Sequence, residues 1–145
     1  MLHNLLEKTL KSPLAALAKI RPRKSGNGER LFCAQPFTRF EVLGGGGQRG
    51  DVFPCCQSWI TKSFGNMTKK SVQEVWNGKA ARDIRRSILD GSFKYGRADV
   101  CPYLQRIDGP VQRVEDVKDE RLREIIRNEL TIVPFGPSDI ICCFD

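Results

Sequence analysis

Phe37-Thr-Arg-Phe-Glu-Val-Leu43, then Gly44-Gly-Gly-Gly47, then Asp51-Val-Phe-Pro-Cys-Cys56 is the stretch on which the reading of this sequence turns. The first run is rich in strand formers, the glycines supply a wide flexible turn, and Asp51-Val-Phe53 resumes an extended pattern. Together they predict a small β-hairpin. The glycine run has neither GxGxxG nor GxxxxGK[ST] spacing, and no helix opens after it, so it does not read as a phosphate cradle. Cysteines bracket the hairpin. Cys33 lies just before it and Cys55 just after its second strand, so closing the hairpin brings these two thiols near each other.

Downstream, Ser71-Val-Gln-Glu74 has the capping-box form, in which hydroxyl and carboxylate reciprocally satisfy free backbone N–H groups. Asn77-Gly78 interrupts this helix, and a second runs from about Lys79 to Leu89. Its buried face is expected to carry Ala81, Ile84, Ile88 and Leu89, with Arg82, Arg85 and Arg86 mostly outside and Gly91 as its stop. Asp119 caps a third helix with Leu122, Ile125, Ile126 and Leu130 inward. Trp59, Trp76, Phe93 and Tyr95 read as core residues. Upstream, Leu2, Leu5, Leu6 and Leu10 form a helical stripe broken at Pro13. The tail from Asp139 to Asp145 has the composition of a strand covered on both faces.

These signals give an α+β chain in three parts. Residues 1–30 are an N-terminal amphipathic helix and linker. Residues 31–106 are a compact domain in which a small β-hairpin and short helices surround a cysteine site. Residues 107–145 are a connector helix followed by a strand.

The 145 residues carry a net charge of +7, unevenly placed. Residues 1–106 hold 19 Lys and Arg against 8 Asp and Glu, and residues 107–145 hold 5 against 9. No basic-aromatic repeat or groove-reading motif accompanies the basic part, so a solvated surface is favoured over nucleic-acid binding. No apolar run approaches the roughly 18 residues of a membrane span, and no export signal is visible. A cytoplasmic protein is expected.

In a reducing compartment six cysteines point to metal rather than disulfides. Cys55–Cys56 and Cys142–Cys143 are adjacent pairs, while Cys33 and Cys101 stand alone. Cys101-Pro102 follows the helical segment in a turn. Three thiolates, Cys33, Cys55 and Cys101, can converge, with Cys56 as a neighbour. Spacing alone leaves an iron–sulfur cluster and a zinc ion both open.

The order of the blocks resembles one family. Cys33-Ala-Gln-Pro-Phe37, Gly50-x4-Cys55, Trp59, Gly65-Asn66, Ser71-Val-Gln-Glu-Val-Trp-Asn77, the run from Arg82 to Tyr95 and Cys101-Pro102 are similar to the SPASM domain. That is the auxiliary iron–sulfur domain of many radical SAM enzymes, and the resemblance covers about residues 31–104. It implies a four-iron four-sulfur cluster on Cys33, Cys55 and Cys101. Relatives usually place a further cysteine five residues ahead of the Cys-Pro ligand, where this chain has Gly96; Cys56 or an outside ligand would then complete the site. The tail is similar to the first barrel strand of a radical SAM domain, which a CxxxCxxC motif normally follows. No CxxxCxxC occurs in this sequence. The resemblance therefore implies a module without independent catalysis, partnered with a radical SAM core, truncated before that motif and not itself binding S-adenosylmethionine. A basic zinc-binding module with Arg82, Arg85 and Arg86 on phosphates, or a metal-free remnant, are the alternatives. His3 is the single histidine and a poor acid–base candidate, and no carboxylate pair is compelling.

Overall fold

A computed structural model describes residues 28–143 apart from 46 and 48, with the backbone alone at Cys143. The amphipathic opening lies outside the described residues. The elements are β1 (Leu31–Cys33), α1 (Gln35–Thr38), β2 (Arg39–Leu43), β3 (Asp51–Phe53), β4 (Gly65–Asn66), α2 (Val72–Trp76), α3 (Lys79–Leu89), α4 (Pro102–Arg106), β5 (Val111–Arg113), α5 (Glu120–Asn128) and β6 (Asp139–Cys143). The architecture is mixed α+β with small sheets.

The hairpin forms as its residues dictate. β2 and β3 pair antiparallel with Glu41 opposite Phe53 and Val42 opposite Val52. Gly50 closes the turn by donating its N–H to Leu43 O at 2.7 Å. Its φ of +82° and the Thr68 methyl 2.8 Å from where a Cβ would sit leave room for glycine alone. β4 adds to β3, and β6 runs parallel to β2, giving the order β4-β3-β2-β6. The expected first strand starts later than its composition suggested. Pro36 fixes the backbone for a single helical turn, so Phe37 and Thr38 belong to α1.

β1 forms a second, two-stranded sheet with β5, Cys33 facing Val111. Side chains from residues 107–143 enter the same core as the hairpin domain: Val117, Leu122, Ile125, Ile126 and Val133 pack with Phe37, Phe40, Val52, Phe64 and Trp76. The helix signals hold. Ser71 and Glu74 form the reciprocal box at α2, and Asp119 accepts from the Leu122 N–H at α5. Leu130, expected inward, is 37% exposed because Glu129 turns left-handed and ends α5 before it. Ile140 is 60% exposed, so the tail is an edge strand rather than one covered on both faces.

The largest departure is Arg85. Expected outside, it is completely buried. Its Nε donates to Pro36 O at 2.8 Å and its Nη1 to Asn77 Oδ1 at 2.9 Å and Thr131 O at 3.1 Å. The guanidinium lies over Trp76, 4.4 Å from the ring centroid, with Phe64 and Phe37 at 5.5 and 5.8 Å. Burial, with Arg121 adding repulsion, lowers its pKa to about 9, which still leaves it charged at neutral pH. Ring faces and carbonyl oxygens stand in for a counter-ion. Trp76 completes the knot by sharing its indole N–H between Val133 O at 3.1 Å and Pro134 O at 3.2 Å. Among the described residues, no helix is long and apolar enough to cross a membrane.

Candidate metal centre

Three separate pieces of chain each bring one thiol to a single cavity. Cys33 ends β1, Cys55 follows β3, and Cys101 is the residue before α4. All three line the cavity, and so does Gly96. Cys56 does not line it.

Backbone pairing sets this convergence. The Ala34 N–H donates to Pro110 O at 2.9 Å, extending the β1–β5 contact past Cys33. An antiparallel bridge joins Ile60 to Gly96, with the Thr61 N–H on Tyr95 O at 2.9 Å and the Arg97 N–H on Trp59 O at 2.8 Å. The segment after Cys55 is thereby tied to the segment before Cys101. The Cys101 N–H then returns to Arg97 O at 2.8 Å, and Pro102 starts α4 where its lack of an N–H costs nothing. Phe93 turns the chain toward Gly96 with φ +48°, a left-handed backbone that costs on the order of 1 kcal/mol in a non-glycine residue.

The walls are mostly apolar and aromatic: Ile60, Phe93 and Leu104, with Trp59 and Tyr103 meeting edge to face at 5.4 Å. Trp59 and Tyr95, expected as plain core, are half-buried and face this cavity. Tyr103 and Leu104 were not singled out in the sequence. Proline directly after a cysteine was the available signal, since it favours a helix start that would aim the next residues inward.

Burial governs Cys33 and Cys55. It pushes Cys33 up to about 12, against a lowering backbone hydrogen bond at Gln35 and with a further rise from Cys101. It also raises Cys55, with Cys33, Cys101, Cys56 and Glu41 adding to the rise, and the Cys55 thiol donates to Cys56 O at 3.8 Å. Without metal these groups are neutral thiols at pH 7. A metal centre held here must displace their protons.

No His, Asp or Glu lines the cavity. Among the described residues no group of three or more His, Cys, Asp or Glu side chains is arranged to hold a metal ion. Among the lining residues Cys33, Cys55 and Cys101 carry the sulfur, the donor type that iron–sulfur clusters take.

Comparison with known proteins agrees with this chemistry. Residues 33–101 match the model of the SPASM family, an iron–sulfur cluster-binding domain, and the stretch is of SPASM type. The matched range begins and ends on two of the three cysteines that share the cavity. No curated protein and no solved structure matches the chain significantly. The match supports an iron–sulfur-binding module.

Proposed function

We propose that Cys33, Cys55 and Cys101 hold a four-iron four-sulfur cluster and that the chain acts as an electron-transfer and docking module beside a radical SAM core. One observation carries this reading: three cysteines from separate segments line one apolar cavity inside the SPASM-type stretch. A cluster there supplies one-electron chemistry. The chain's own residues supply the thiolates, exclude water through Ile60, Phe93 and Leu104, and fix the Cys101 turn through Pro102. We place the module in the cytoplasm, where thiols stay reduced.

The test is iron and sulfide content, with a visible spectrum, after anaerobic reconstitution of the full chain. We expect about four irons per chain, the complement of a thiolate-held cubane. Cys33→Ala and Cys101→Ala are each expected to abolish it. A folded chain that takes up no iron, or that copurifies with zinc on the same cysteines, overturns the reading.

A further inference from the structure

A basic face adjoins the cysteine cavity through Tyr95. Tyr95 is part of the cavity lining, and the amines of Lys62 and Lys94 lie over its ring, 4.7 and 5.5 Å from the centroid. Lys62 Nζ also reaches Asp83 Oδ2 at 3.1 Å. Lys79 Nζ meets the same oxygen at 2.7 Å, and Arg86 Nη1 stands 3.6 Å from Asp83 Oδ1. Lys62 thereby joins two groups of cations, one on the outer side of α3 and one on the turn that carries Tyr95. Four cations surround one carboxylate and one ring. The carboxylate is the sheltered member: the Asp83 side chain is 15% exposed, while those of Lys79 and Arg86 are 83% and 62% exposed. Lys94 is exposed as well. The face therefore presents a positive surface.

We propose that Lys62, Lys79, Arg86 and Lys94, grouped around Tyr95, form the docking face for an acidic one-electron carrier protein. The carrier role rests on the cluster reading above; the match of an acidic partner to this face rests on the charges alone. Opposite charge steers such a partner to the patch and holds it weakly enough to leave again, as a carrier must. Tyr95 is the residue that the face and the cavity share. The reduced carrier passes one electron to the cluster, [4Fe–4S]2+ becoming [4Fe–4S]+, and leaves oxidised; no bond forms and no proton moves. A nucleic acid suits the face less well. Single strands bind by stacking bases on open aromatic rings, and the ring here is half-buried with two amines already over it.

The experiment uses the full chain, with an acidic [2Fe–2S] ferredoxin as the probe and a short single-stranded DNA as the competing polyanion. Wild type is compared with Arg86→Glu/Lys94→Glu on the face and with Lys69→Glu/Lys70→Glu, an equal charge change at two exposed residues outside it. Circular dichroism checks that each variant folds. Titration calorimetry on the metal-free chain gives the first readout. Ferredoxin binding is expected to weaken about tenfold or more in the face variant and less than about threefold in the control, and to fall with added salt in wild type. The second readout, on the reconstituted chain, is the rate at which pre-reduced ferredoxin bleaches the cluster, which is expected to slow in the face variant alone. Equal weakening in the two variants reduces the attraction to net charge and overturns the docking face. So does DNA that binds more tightly than ferredoxin and is released by the same face variant. A loaded cluster reduced equally fast in all three chains overturns the inference while the cluster reading stands. Face-dependent ferredoxin binding by chains that take up no iron upholds the acidic-partner face and overturns the cluster reading, and the carrier role with it.

Discussion

The two sides of this small core are finished in different ways. Around Arg85 and Trp76 polar atoms other than the buried Arg85 Nη2 find protein partners: Pro36 O, Thr131 O, Asn77 Oδ1, Val133 O and Pro134 O all receive donors, and four aromatic rings pack against the indole or the guanidinium. Cys33, Cys55 and Cys101 line a cavity whose walls are mostly apolar and aromatic. The first region closes on the chain itself. In the second, burial raises the Cys33 and Cys55 thiols above their ordinary range. The regions also share a joint, because the carbonyl that Arg85 holds belongs to Pro36, three residues past Cys33 and itself on the cavity wall.

The comparison is broken hardest at that joint. Arg85→Met takes the side-chain donor from the Pro36 and Thr131 carbonyls, and should lower stability by about 3–5 kcal/mol in chemical denaturation. If the joint is real, iron uptake falls as well under conditions where the variant is still folded. A stability loss with full iron loading would show that the two regions are independent. Removing a cavity thiol should do the opposite. Cys55→Ala is expected to abolish iron binding while changing the stability of the metal-free protein by no more than about 1 kcal/mol, measured in the same way. A larger loss would mean the cavity is part of the packed core after all. The smallest effect is expected on α2, which carries Trp76 into the knot. Ser71→Ala removes one half of the reciprocal cap and should cost about 1 kcal/mol, with iron content unaltered.

Much of the molecule could be read from local sequence because its signals are local. The Ser71–Glu74 box, the Asp119 cap and the hairpin around the glycine run each need only a few neighbouring residues, and each stands in the structure as expected. The three cavity cysteines could be named from the family blocks that contain them. Arg85 was missed because charge outweighed position. It lies four residues after Ala81 and three before Ile88, on the apolar stripe of α3, and that spacing was the available signal. Nothing local announces that its partners would be three aromatic rings and the carbonyls of distant loops. The pairings of β1 with β5 and of β2 with β6 were equally out of reach, since three to five residues of strand carry no mark of which partner they meet. Leu130 was misread for a local reason, the left-handed turn at Glu129, a residue type that seldom adopts it.

The parallel register of β6 on β2, Arg39 with Asp139 through to Leu43 with Cys143, bears on timing. β2 and β3 are joined by a short turn and can meet as soon as both have left the ribosome. β6 can join only after everything between has been synthesised and gathered. Because closure entropy rises slowly with loop length, the burden falls on the rate of folding more than on the final balance. Cys33 has the same wait, since β1 finds its place only when β5 exists. The thiol-lined hollow therefore cannot be complete until β5 has been made.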